Sequence, residues 1–142
     1  MIEMEELLDL SKDISKYLVT RDHYLSNAED MIRKKNLRKA SELLWGAITQ
    51  TIKSLALLSG IPIYSHNGFR LYIKEISKEI NDKNLIAKFL YLEDLHKNFY
   101  DEIIPEEDFP EYYKETLLFI KKLDEIATKK QILNALENKK EN

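Results

Sequence analysis

Residues Leu37–Leu58, LRKASELLWGAITQTIKSLALL, carry apolar side chains around the whole circumference of a helix, and this property sets the architecture. With residues turned at ~100° each, Leu37, Ala40, Leu44, Ala47, Leu55 and Leu58 form one stripe, while Trp45, Ile52 and Ala56 fall opposite it. A helix apolar on all sides is buried between neighbours. The segment is therefore the hub of a helical bundle, and its back face is covered by another helix or by another subunit. Gly46 sits among the back-face residues and allows close approach. Trp45, Gly46, Ile52 and Ala56 are the candidate interface of a homodimer, since matching patches pair across a twofold axis. Burial within the chain is the competing account.

On the N-terminal side, Leu7, Leu10, Ile14, Tyr17, Arg21, Tyr24, Ala28 and Met31 recur in steps of three and four. They predict one long helix over about 3–34, with Arg21 paired or snorkelling within the stripe. Asn36 caps the hub helix, and Ser59–Gly60 with Pro62 stops it. A third helix is expected over 67–80, with Phe69, Tyr72, Ile73, Ile76 and Ile80 inward. A fourth, over 83–102, carries Leu85, Phe89, Leu92, His96, Phe99 and Ile103 on one stripe. Pro105 ends it, Asp108 caps the next, and Pro110 suits the first turn of a fifth helix over 110–128. Residues 129–142 form a charged extension of that helix or a frayed tail. The expectation is one all-α domain over 1–128, an up-and-down bundle of about five helices.

Composition narrows the function classes. The chain has 142 residues, 44% hydrophobic and 33% charged, with a formal net charge of −3. This describes one globular domain large enough to bury a core. Without cysteine there is no disulfide, thiolate nucleophile or Cys-based metal site. No apolar run approaches the ~20 residues that span a bilayer, and the start MIEMEELLDL is unlike a signal peptide, so no membrane partner and a cytoplasmic location are expected. Three Gly and three Pro are too few for a turn-rich β fold.

Several residue groups could carry chemistry. Arg33, Lys34, Lys35, Arg38 and Lys39 place five cations within seven residues at the first interhelical turn. They fit contact with a nucleic-acid backbone, or a solvated turn whose charges complement a helix end. The acidic residues around Pro105 lack a calcium-loop pattern and read as capping and solubilising charges. On the hub helix, Glu42, Thr49 and Lys53 share a face with Gly46, as a close crossing with paired charges or as the floor of a polar site. His66 is placed in the loop before the third helix. His96 lies within an apolar stripe, as a buried neutral ring or as a general base facing a pocket. There is no HExxH spacing, no phosphate loop and no serine nucleophile motif, so no metal or cofactor is expected.

The run NAEDMIRKKNLRKASELLWGAITQTIKSLALLSGI, followed by Ser65–His66, resembles HEPN domains, the higher eukaryote and prokaryote nucleotide-binding superfamily. Within it, KASELLWGAITQTIK (Lys39–Lys53) and LHKNFYDE (Leu95–Glu102) are similar to the archaeal PaREP family, and the resemblance covers about residues 24–127. It implies an up-and-down bundle, frequently dimeric, in a superfamily linked to nucleotides, RNA cleavage and toxin–antitoxin systems. The ribonuclease signature of that superfamily is Arg, four to six residues, then His. None of Arg21, Arg33, Arg38 or Arg70 has a His at that distance. Lys53, His66, His96, Asn98 and Tyr100 match positions characteristic of the subfamily, and with Glu42 they are the candidate ligand-binding residues.

The expectation is a HEPN-like binding or accessory module for nucleotide or RNA, dimeric and without catalysis. The alternatives are a divergent metal-independent ribonuclease using His96, and a structural partner-binding bundle.

Overall fold

In the computed structural model, which describes residues 3–141, five helices follow one another: α1 (Met4–Arg33), α2 (Leu37–Leu57), α3 (His66–Glu79), α4 (Lys83–Asp101) and α5 (Phe109–Glu141). A short 3-10 turn, Glu106–Asp108, precedes α5. No helix among the described residues is long and apolar enough to cross a membrane.

The helix boundaries follow from local chemistry. α1 stops where Lys35 adopts a left-handed φ of 59°, with Asn36 N–H donating to the Met31 carbonyl at 2.9 Å. Asn36 then caps α2, its side chain accepting from the Lys39 N–H. Gly60, at φ +72°, closes α2 in the same way through the Ile61 N–H and the Ala56 carbonyl. Ser65 caps α3 by accepting from the Gly68 N–H at 3.0 Å, and Asp82 caps α4 through the Asn84 N–H. The Ser65 cap starts α3 one residue earlier than expected, so His66 is helical rather than a loop residue. Asp108 sits inside the 3-10 turn, and α5 continues to Glu141 with its residues exposed from Gln131 through Lys139.

α2 is the hub. Ala40, Leu44, Ala47, Ile48, Ile52 and Ala56 have no exposed surface, and α1, α3, α4 and α5 all touch this helix. Filling these positions stabilises the fold by about 1.5–3 kcal/mol for each large aliphatic side chain. Arg21, the polar break in the α1 stripe, reaches Asp124 of α5 at 2.9 Å.

The back face of α2 is covered within the chain, which corrects the expectation of a dimer patch there. Ile52 and Ala56 are fully buried, and Trp45 packs against Phe89 of α4 with ring centroids 5.5 Å apart. Gly46 faces the Tyr24 ring of α1, where an added Cβ would lie 2.9 Å from Cδ2. Four helices surround this hub, so its second apolar stripe is already satisfied.

Candidate functional site

α2, α3 and α4 meet at a polar cluster on the rim of the core. Trp45 forms the floor, its ring centroid 5.6 Å from that of His66 and 5.9 Å from that of His96. The two imidazoles lie 6.1 Å apart with planes inclined by 25°. The His66 side chain is 44% exposed and that of His96 35%, so both rings reach solvent from a buried base. Tyr100, one turn beyond His96 on α4, sets its ring edge-on to His96 at 5.4 Å.

A carboxylate orients each imidazole. His96 Nδ1 lies 2.9 Å from Glu42 Oε2, and His66 Nε2 lies 2.5 Å from Glu93 Oε2. An ionised carboxylate only accepts, so these nitrogens donate. The neutral rings then carry their lone pairs on Nε2 of His96 and Nδ1 of His66, and no group among the described residues bonds either atom. Arg70, one turn after His66 on α3, grips the same Glu93 carboxylate at 2.8 and 3.1 Å. Burial by itself pushes the Glu93 carboxyl up, but the hydrogen bonds and charges of Arg70 and His66 outweigh it and hold the group below the usual range. With its side chain 6% exposed, Glu93 is the buried anion that fixes a histidine and an arginine above it.

This arrangement provides two oriented imidazoles, a fixed guanidinium and an exposed phenol ring around one patch. It can accept and donate protons and can place positive charge beside an anion. Among the described residues, no group of three His, Cys, Asp or Glu side chains is arranged to hold a metal ion.

A family model, the archaeal PaREP1/PaREP8 family, matches residues 16–120, which include the whole cluster. The chain belongs to the archaeal PaREP1/PaREP8 family. No curated protein matches it.

In this PaREP1/PaREP8 chain the sequence candidates separate into those the fold brings together and those it does not. Glu42, His66, His96 and Tyr100 converge. Lys53 does not: its Nζ lies over the rings of Tyr17 and Phe69, at 5.7 and 5.9 Å, and Glu42 pairs with His96 instead. The two are eleven positions apart on α2, about 16 Å at ~1.5 Å per residue, which corrects their grouping as one polar floor. Asn98 is buried with both ends of its amide engaged, donating to Ser41 Oγ at 3.0 Å and accepting from the Ile104 N–H at 2.7 Å. It ties the α4 exit to α2.

The basic turn is partly neutralised within the chain. Arg33 pairs with Asp30, and Arg38 donates to the Phe99 carbonyl at 2.8 Å while meeting Glu102 at 3.3 Å. Lys34, Lys35 and Arg38 line an open groove of about 560 Å³ together with Glu102 and Glu106. Lys39 turns to a separate depression beside Asn27 and Leu43. Arg38–Phe99 and Glu42–His96 are successive rungs between antiparallel α2 and α4, so the groove lies one helical turn from the histidines.

Arg70 and Glu93 were missing from the sequence candidates. Two signals pointed to them. Arg70 follows His66 by four residues and so shares its helical face, and Glu93 is a charge beside the apolar Phe89–Leu92 positions of α4.

Proposed function

We propose that this chain is a binding module for nucleotide or single-stranded RNA, with His66, Arg70, His96 and Tyr100 as its contact face. The observation that carries this reading is the pair of carboxylate-oriented imidazoles over Trp45, with Arg70 beside them. An exposed aromatic ring flanks the pair: Tyr100, set edge-on to His96. Bases stack on such rings at about 1–3 kcal/mol each. From Trp45 to Arg38 the track along α2 is about 10 Å at ~1.5 Å per residue, which brings a ligand on the imidazoles to the groove at Lys34, Lys35 and Arg38. The resemblance to HEPN domains supports the same ligand class.

Glu42, Glu93, Glu102 and Glu106 offset the cations along this track. Few phosphates are therefore neutralised, and the salt dependence is shallow. For about two phosphate contacts, log affinity falls by about 1.4 per tenfold rise in salt.

A second reading is phosphodiester cleavage by the two histidines acting as general acid and general base. It is favoured by one observation, the carboxylate bonded to one nitrogen of each ring, Glu42 on His96 and Glu93 on His66. His96 has Glu42 on its own ring and the His66 imidazole 6.1 Å away, and Arg70 shares Glu93 with His66.

The test is an affinity screen of the purified chain against nucleoside monophosphates and short RNAs at two salt concentrations, with product analysis of the same mixtures. Saturable binding lost in Arg70→Ala and weakened in Tyr100→Ala supports the module. Cleavage products abolished by His96→Ala or His66→Ala, with the fold intact, would assign the second reading. Equal affinity of wild type and Arg70→Ala for every probe would refute the first.

A further inference from the structure

α1 and α5 extend from the same end of the bundle. Tyr113 of α5 reaches Glu29 of α1 at 3.4 Å, and farther along Asp124 reaches Arg21 at 2.9 Å. The N-terminal arm of α1 and the C-terminal arm of α5 therefore run in the same direction, each for about 25 Å beyond the Arg21–Asp124 pair at ~1.5 Å per residue. α2 folds back along α1 from the Lys34–Asn36 turn and ends at Leu57, so it reaches only about as far as Asp13. Beyond that point α2 covers neither arm, and α5 keeps a contact with the end of α3 through Lys130 and Glu79 at 3.4 Å.

Both arms carry apolar side chains into solvent. Met4, Leu7 and Leu8 are exposed on α1, and Ile132, Leu133 and Leu136 are exposed on α5. Leu7, Leu10 and Ile14 continue the stripe that, farther along α1, packs into the core. Six large apolar residues uncovered at one end of a chain of this size form a patch of the kind that marks an interaction surface.

The charges on the arms are opposite. The α1 arm holds Glu3, Glu5, Glu6, Asp9 and Asp13 against Lys12 and Lys16. The α5 arm beyond Asp124 holds Lys129, Lys130 and Lys139 against Glu125 and Glu137, with Lys130 paired to Glu79 of α3. A surface with an acidic and a basic half is complementary to a copy of itself turned by a twofold axis, which sets each α1 arm against the α5 arm of the other copy. Residues 3–18 and 129–139 together supply the 20–30 residues a side of a standard stable interface.

We propose that this two-helix fork is the docking surface for a second copy of the chain, the two forks interleaving into an antiparallel four-helix end. This goes beyond the ligand-binding reading and does not depend on it.

Light scattering on the full chain tests the proposal. Wild type is expected at twice the 16.8 kDa chain mass at micromolar concentration. Leu133→Asp with Leu136→Asp is expected to weaken association by at least about a hundredfold with helical content unchanged. Leu90→Asp, at an exposed position of α4 away from the fork, should leave the mass at two chains. A charge exchange gives a second readout. Glu5→Lys with Glu6→Lys should weaken the pair, and adding Lys129→Glu with Lys139→Glu should restore it. A one-chain mass for wild type up to about 100 µM would overturn the proposal. So would dissociation by Leu90→Asp equal to that by the fork variant, or restoration absent from the charge exchange.

Discussion

Glu42 of α2 holds His96 of α4 by its Nδ1 at 2.9 Å, one turn along from the place where Arg38 of α2 holds the Phe99 carbonyl at 2.8 Å. A single helix pair thus positions both a titratable ring and the start of the basic groove. The rigidity comes from α2, whose neighbouring residues Leu44, Ala47 and Ile48 are fully buried. Function is proposed at this seam because two carboxylate-bonded imidazoles here reach solvent over a buried tryptophan.

Glu93→Gln should destabilise the domain near neutral pH by about 1–3 kcal/mol, the scale of hydrogen bonds to a charged group. The Glu93 carboxyl is held below its ordinary value in the folded state, so its contribution is present above the ordinary carboxylate range. It is lost as pH falls through the lowered folded value. Urea unfolding at about pH 7 and about pH 3 checks this: the gap between wild type and variant should narrow at the lower pH.

Asn98→Ala should cost about 2–3 kcal/mol, because it removes two buried hydrogen bonds and leaves the Ile104 N–H unpaired. Ligand affinity per folded molecule should change less than in Arg70→Ala. Thermal unfolding beside a binding titration separates the two effects.

Trp45→Ala should lower the stability of the single chain by about 3–5 kcal/mol and leave the association constant of the folded chains unchanged. Denaturant melts at two protein concentrations distinguish a loss of internal packing from a loss of association.

Gly68→Ala would place a Cβ 2.9 Å from Ile63 Cγ2 and 3.1 Å from the Ser65 hydroxyl that caps α3. Helix propensity favours Ala by up to about 1 kcal/mol, which offsets the strain. Stability should therefore change by less than about 1 kcal/mol while the start of α3 shifts. Near-ultraviolet circular dichroism of Trp45, whose ring faces His66, reads that shift.

The helices were legible in the sequence because each has a period and a stop: Gly60 after α2, Asp82 before α4, Pro105 before α5. The central place of α2 was legible for the same reason, since no surface helix carries Ala40, Leu44 and Leu58 on one side and Trp45, Ile52 and Ala56 on the other. What covers each side was not. Periodicity shows that a stripe is buried, and Trp45 could face a helix of its own chain or a partner until the positions of α3 and α4 are known. The candidate site was half legible. His66 and His96 stand out as imidazoles, Glu42 by its face of the hub helix and Tyr100 through the family resemblance alone, whereas their grouping depends on long-range packing of α2, α3 and α4. Lys53 stands out in sequence by the helix face it shares with Glu42 and by the family resemblance, and Asn98 by the resemblance alone; the fold uses Asn98 as a buried tie and sets Lys53 over two aromatic rings.

The histidine rings offer the most direct measurement of the proposed contact face. The chain has three histidines, with His23 exposed on α1 away from the cluster. Long-range nitrogen–proton spectra of the rings, recorded while a short single-stranded RNA is titrated in, should show saturable shifts of His66 and His96 with one common dissociation constant, and a stationary His23. Resonances of His66 and His96 that stay fixed to saturating RNA, or that move no more than those of His23, would contradict the account.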